Sequence, residues 1–199
     1  NRFISERVNQ IRNWNMEFIQ GDILDKKLIK QYCEDADVVH HLAGVTSVPR
    51  TKNEASQAQD EKIKEVGEQG TQNILDVISD KCKIIFPSTH VVYEGISEVK
   101  KDIKEDELTK PVLSYSSSKA INEEQLKKSG KNYIILRLGS VYGYSTDSMR
   151  IDIMPNLFSK IASQNGTLKL FAGGIQVKSL VPLVDVARCF KFMEEKNKI

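Results

Sequence analysis

Tyr115 and Lys119 stand four residues apart in Tyr115-Ser-Ser-Ser-Lys119, a spacing that sets a phenol and an ammonium on one face of a helix. A phenol titrates at about 10 in water and needs help to exchange protons at neutral pH. A lysine cation beside it stabilises the phenolate, which would make Tyr115 a usable general acid or base. The same spacing arises by chance in many helices. It gains weight from Ser88-Thr89-His90 upstream, a small polar group closing an apolar run. His90 has the chemistry for acid or base work near neutral pH, although a hydrogen-bonded histidine at a strand end is the plainer reading. His40 and His41 are adjacent, and alternation along a strand sends their rings to opposite faces, against a shared metal. Cys33, Cys82 and Cys189 are odd in number, widely spaced and outside any C-x-x-C, so they read as buried apolar residues and not as a disulfide framework or zinc site.

These side chains need elements to hold them. Short runs rich in Val, Ile and Phe recur at Met16 to Gln20, Asp37 to Leu42, Lys83 to Pro87 and Tyr133 to Leu138, each followed by a longer amphipathic stretch. Their nearly continuous apolar character fits parallel strands covered on both faces. Strands alternating with helices predict an α/β fold, a doubly wound parallel sheet of Rossmann-like type. Between the second and third runs Ile63, Val66, Gly70, Ile74, Val77 and Ile78 share one face, which predicts a crossover helix over 54–79. Gly67 and Gly70 weaken that helix, and a glycine on its inner face allows close approach. Pro111 and Ser129-Gly130 bracket a second helix over 114–128. Residues 96–110, with Lys100, Lys101 and Lys104 among acids, read as a solvated loop. Beyond Gly143 the pattern predicts a helix over 151–163, short strands over 167–171 and 177–183 around Gly173-Gly174, and a helix over 184–195. The break at 144–148 is the candidate domain boundary.

Composition narrows the partners. The 199 residues are 28% charged and 40% hydrophobic, a water-soluble globular mixture. A net charge of +2 is too small an excess to neutralise a phosphate backbone, so no nucleic acid is expected as partner. No apolar run nears the roughly 20 residues of a membrane span, and the first residues lack a signal-peptide core. The expectation is a soluble, cytoplasmic protein with no membrane partner. Because the chain opens on Asn1 and stops soon after its last helix, it is expected to be a piece truncated at both ends.

In open α/β sheets the ligand crevice lies beyond the carboxyl ends of the strands. Gly21-Asp22-Ile23-Leu24-Asp25, Ala43-Gly44, Ser88-Thr89-His90 and Gly139-Ser140 stand at four such ends. Each alone is ordinary turn composition. Together and in order they resemble the extended short-chain dehydrogenase/reductases, the NAD(P)-dependent sugar-nucleotide epimerases, dehydratases and reductases. Gly21 to Asp25 resembles the family's G-D-I-x-D, His40 to Gly44 its H-L-A-[AG], and Gly70 to Leu75 its G-T-x-N-L-L. Ser88 to Tyr93 is similar to S-[ST]-x-x-V-Y, Tyr115 to Lys119 to the catalytic Y-x-x-x-K, Arg137 to Gly143 to R-x-x-N-V-Y-G, and Val181 to Ala187 to V-x-V-x-D-V-A.

The resemblance implies a partial NAD(P)-binding Rossmann domain over 1–145, and a partial substrate-binding region with returning Rossmann elements over 146–199. It implies that Asp22 and Ile23 meet the adenine end of NAD or NADP. Leu42, Ala43, Gly44 and Ser88 would line the cofactor cleft, and Lys119 and Tyr115 would hold the nicotinamide ribose. Thr89 would hydrogen-bond the reacting sugar oxygen while Tyr115 takes its proton, making Tyr115, Lys119 and Thr89 the catalytic set. His90 and Ser140 would border the substrate, a small molecule of nucleotide-sugar type, and Phe171 to Gly174 with Lys178 would face its nucleotide part or form a plain turn. No metal is implied, and the resemblance leaves room for a homodimer. Three departures matter. The glycine-rich phosphate loop is expected upstream of Asn1, Gly67 and Ser140 stand where the family usually has Asn, and His90-Val91 stand where its dehydratases carry Asp-Glu. Val91 cannot act as an acid or base, which favours an epimerase or related reductase. The alternatives are a dehydratase, and a cofactor-binding protein of the same fold without turnover.

Overall fold

A computed structural model describes residues 2–46, 57–145 and 149–196, and these fall into two units. In chain order the elements are α1 (Arg2–Asn13), α2 (Lys26–Cys33), β1 (Val38–His40), α3 (Gln57–Lys64), α4 (Gly70–Val77), β2 (Lys83–Thr89), α5 (Ser114–Lys128), β3 (Asn132–Leu138), β4 (Ser140–Tyr142), α6 (Met154–Ser163), β5 (Leu180–Pro182) and α7 (Leu183–Glu195).

The first unit, Asp22–Leu138 with Phe190–Ile199, holds a parallel sheet in the order β1, β2, β3. Ile84, Ile85 and Phe86 are wholly buried because β2 is the central strand, which is what its unbroken apolar run requires. Register aligns the carboxyl edge: His40 lies opposite Ile85 on β2, and Thr89 opposite Leu138 on β3. Ile74 and Leu75 of α4, Ile78 just after it, Leu126 of α5, and Cys82, Ile84 and Phe86 form the core, with Ile23, Ile29 and Cys33 packed at its margin. Asp25 starts α2, its carboxylate accepting from the Lys27 and Leu28 amides at 3.1 Å each. Lys83, buried at the start of β2, donates its ammonium to the Met193 carbonyl at 3.0 Å, the Glu194 carbonyl at 2.6 Å and the Lys196 carbonyl, closing the last turn of α7.

The helix expected over 54–79 is not continuous where it is described. Residues 54–56 lie outside the described ones, and a π turn over Glu65–Gln69 separates α3 from α4. A π turn leaves carbonyls without their usual partners. The crossing helix α5 supplies them: the Asn122 amide donates to the Gly67 carbonyl and the Gln125 amide to the Glu68 carbonyl, each at 3.0 Å. A side chain at Gly67 would strike Ser118, so the position usually held by Asn is here a crossing point.

Gly70 marks a second close approach. A Cβ there would sit 2.8 Å from Ile23 Cγ2, and the helical backbone offers no relief. Gly70→Ala is expected to lower stability by about 1–2 kcal/mol, overpacking outweighing the roughly 1 kcal/mol of helix propensity an alanine adds. In an Ile23→Ala background the same substitution should cost far less, and urea unfolding of the four proteins measures the coupling.

The second unit, Asn1–Gly21 with Gly139–Cys189, contains α1, the parallel pair β4 and β5, α6 and the start of α7. The boundary expected at 145/146 falls inside it. Three expected strands are corrected here. Met16 to Gln20 is irregular, because no strand among the described residues pairs with it and Met16, Phe18 and Ile19 stay exposed. Residues 167–171 form no strand and lead into a 3₁₀ turn over Phe171–Gly174, where Gly173 and Gly174 take left-handed φ values of +69° and +75°. The strand expected over 177–183 shortens to β5, with Val177 left exposed.

Candidate active site

Pro111 and Ser129-Gly130 delimit α5 at Ser114–Lys128, so Tyr115 and Lys119 fall one turn apart near its start. Lys119 turns onto the end of β2. Its ammonium donates to the Pro87 carbonyl at 2.8 Å and lies 4.3 Å from the centroid of the Phe86 ring. Burial pushes this ammonium down to about 8, with Glu123 pulling the other way. The two residues after Pro87 are Ser88 and Thr89, both buried. The Thr89 hydroxyl accepts from the Val91 amide at 3.3 Å and opens a 3₁₀ turn over His90–Tyr93. His90 donates from Nδ1 to the Leu138 carbonyl at 3.0 Å, the hydrogen-bonded strand-end histidine of the plainer reading.

Ser88 leads to two residues that sequence reasoning did not single out as site residues. Its hydroxyl donates to Glu123 Oε1 at 2.5 Å. Glu123 is 2% exposed and receives Arg137 in a fork, Nε to Oε1 at 3.0 Å and Nη2 to Oε2 at 2.6 Å. That hydrogen bonding holds the guanidinium above its ordinary pKa, against the opposing effect of burial. Arg137 also donates to the Tyr93 hydroxyl and to the Glu105 carbonyl at 2.9 Å, joining β3 to the loop after the 3₁₀ turn. The available signal was periodic: Glu123 continues the stripe of Tyr115 and Lys119 one turn further on.

At the end of β1 the two histidines face opposite ways, as alternation requires. His40 stacks on Phe190 and pairs with Glu194 at 2.6 Å, whereas His41 packs against Phe86 and shares a 2.8 Å hydrogen bond with the Thr71 hydroxyl. No group of three or more His, Cys, Asp or Glu that could hold a metal occurs among the described residues. His41 is buried, its Nδ1 has no hydrogen-bond partner, and burial followed by the Lys119 charge pushes its pKa down to about 4. Its folded value lies below the ordinary 6.5, so the stability it contributes is complete above about 6.5 and is lost as pH falls toward 4. Between pH 7 and 5 that loss should be about 2 kcal/mol. Urea unfolding at both pH values should show it in the native protein and not in His41→Leu.

Leu42, Ala43 and Gly44 follow His41 and are exposed at the carboxyl edge of the sheet. Asp22 folds its carboxylate onto the Leu24 amide at 2.9 Å, and the Asn73 side chain holds the Ile23 and Leu24 carbonyls at 3.0 and 3.2 Å. The first unit therefore carries Asp22, Ile23, Leu42, Ala43, Gly44, Ser88, Thr89, His90, Tyr115 and Lys119. Ser140 belongs to the second, where its amide donates to the Ser179 carbonyl at 2.7 Å. In that unit a cavity of about 660 Å³ is lined by Asp152, Phe158, Lys169, Gly174 and Lys178, among others.

The donor set fits a dinucleotide in part. A half-buried lysine cation at the end of β2 and an exposed, side-chain-free Gly44 after β1 suit a ribose and nicotinamide, while the described residues contain no glycine-rich turn for a pyrophosphate. The comparisons agree with this reading of the fold. A human dTDP-D-glucose 4,6-dehydratase is 27% identical over 192 residues, covering 92% of this chain and 52% of its own length. A UDP-glucuronic acid 4-epimerase from Bacillus cereus, solved with UDP-glucuronic acid and NAD, superposes with a TM-score of 0.75 at 24% identity, over 98% of this chain and 62% of that one. A dTDP-glucose 4,6-dehydratase double mutant from Streptomyces venezuelae with NAD bound gives 0.72 at 25% identity, over 94% and 56%. The chain thus spans about half the length of the curated relatives it matches. The sequence profile of the NAD dependent epimerase/dehydratase family matches residues 2–199, and the chain belongs to that family.

Proposed function

We propose that the protein works as an NAD-dependent sugar-nucleotide epimerase or related reductase. The observation that carries this reading is the bond from the Lys119 ammonium to the Pro87 carbonyl, which holds the start of α5 against the end of β2, two residues before Thr89. Hydride leaves a carbinol carbon only as its O–H proton is removed, so two groups must address one oxygen. Thr89 holds that oxygen and Tyr115 takes its proton, with Lys119 supplying the positive charge that favours the phenolate. Lys119 and Tyr115 would hold the nicotinamide ribose, Asp22 and Ile23 the adenine end, and Leu42 to Gly44 the cleft between. NAD, when bound, supplies the hydride acceptor. The substrate is a small molecule of nucleotide-sugar class, with His90 at its border, and we place the protein in the cytoplasm.

The dehydratase relatives favour a second reading, loss of water from the sugar. That chemistry needs an acid and a base besides Tyr115, and here His90 spends its Nδ1 proton on a backbone carbonyl while Val91 has none to give. Mass spectrometry of UDP- and dTDP-hexoses incubated with NAD and the protein at its natural length separates the two. Epimerisation gives a chromatographically new species of unchanged mass, whereas a product lighter by one water would establish dehydration. His90→Ala should lower turnover by less than about tenfold, short of the 10² to 10⁴ that follows loss of a general acid or base. A thousandfold drop in steady-state kcat with the fold intact would show that His90, not Tyr115 alone, handles the proton.

A further inference from the structure

Tyr115 lies in the first turn of α5, where backbone amides have no partner within the helix and the chain frays most readily. The residue that precedes the helix, Leu113, has no side-chain oxygen with which to cap it. The Leu113 amide donates to the Ser116 hydroxyl at 3.2 Å, and a second acceptor for the residues entering the helix comes from Glu94, the residue after the 3₁₀ turn that follows Thr89. Its Oε1 accepts from the Val112 amide at 2.9 Å, from the Leu113 amide at 2.7 Å and from the Ser116 hydroxyl. A carboxylate at this end also meets the positive pole of the helix. Two backbone bonds lie beside it, from the Gly95 amide to the Lys110 carbonyl at 2.9 Å and from the Lys110 amide to the Val92 carbonyl at 2.8 Å. No side chain fits at Gly95, where a Cβ would lie 2.5 Å from the Lys110 carbonyl oxygen.

We infer that Glu94 is a positioning residue for proton transfer, a clasp that fixes the start of the Tyr115 helix against the segment that begins at Thr89. The inference rests on the proposed function, in which Thr89 and Tyr115 address one oxygen. Those two residues come from different elements separated by a loop of some twenty residues, and a displacement of about 1 Å between catalytic groups is enough to cost roughly 10² in rate. Glu94 is where the loop is drawn closed: one carboxylate oxygen binds both the last loop residues and the first helical turn. Its bonds to Val112, Leu113 and Ser116 act on the backbone that carries Tyr115, and through that placement its effect reaches the reaction.

The test compares Glu94→Ala, Glu94→Gln and Tyr115→Phe in the protein at its natural length. Glu94→Ala is expected to lower kcat 10- to 100-fold while the Kd for NAD, measured by calorimetry, stays within threefold. Glu94→Gln, which keeps an acceptor oxygen but loses the charge, is expected to regain most of that kcat. Hydrogen exchange reads the clasp without turnover: the Val112 and Leu113 amides should exchange at least tenfold faster in Glu94→Ala, with those of β2 unchanged. Wild-type kcat together with unchanged exchange at Val112 and Leu113 would overturn the inference, as would faster exchange with kcat within twofold. Full activity in Tyr115→Phe would instead overturn the proposed function, and leave the exchange result to judge the clasp itself.

Discussion

Tyr115→Phe should abolish nearly all turnover, by 10³-fold or more, while leaving affinity for NAD within a few fold, because it removes one proton-carrying oxygen and little packing. The pH profile should say why. In the direction that needs a base, activity should rise with pH, because the proposed reading has Tyr115 take the proton as a phenolate that the Lys119 charge favours. Lys119 itself adds a second limb. Burial lowers its ammonium to about 8, so the charge that supports the phenolate is lost as the pH rises through that value. The expected profile is a bell whose falling side belongs to Lys119. Lys119→Met should move the rising side upward by a unit or more, erase the falling side and weaken NAD binding, because one side chain serves both tasks. Steady-state rates from pH 5 to 10 decide it, and a Lys119→Met profile that overlays the native one would reduce the pair to an accident of helical spacing.

The largest effect on stability should come from the pair beneath that site. Glu123 is buried with its carboxylate taken up by Arg137 and Ser88, and its partner is itself shielded, with 16% of the Arg137 side chain exposed. Two charges removed from water are tolerable together and costly apart. Breaking such a pair from one side costs about 3–5 kcal/mol, because the survivor stays buried without compensation. Glu123→Leu should destabilise by that amount, leaving the Ser88 hydroxyl without its acceptor as well, and Arg137→Met should do much the same. The double variant should recover a large part of the loss. Guanidinium unfolding of all four proteins gives the coupling directly, and simple additivity of the two single losses would contradict it. Turnover should fall with stability in Glu123→Leu, since the carboxylate fixes the register between the end of β2 and the face of α5.

Much of this arrangement was legible from residue order. The helix Ser114–Lys128 is bounded as its punctuation predicts, and β2 and β3 overlap their apolar runs, because local signals and burial point the same way there. Met16 to Gln20 failed for the opposite reason: a strand is defined by a partner, and apolar composition does not supply one. The π turn at Glu65–Gln69 was hidden because its cause lies on another helix, in Asn122 and Gln125. Glu94 and Glu123 were hidden among many carboxylates. Sequence alone does not tell which acid of a charged chain will be folded inward, whereas Tyr115 and Lys119 announced themselves by spacing.

The lysine at the start of β2 sets a practical limit on how the molecule can be handled. Its ammonium is satisfied by carbonyls that belong to Met193, Glu194 and Lys196, residues more than a hundred positions away in the chain. A fusion junction, affinity tag or protease site introduced ahead of Met193 would strand that cation in the interior. The tail of α7 is thus a structural plug for the sheet.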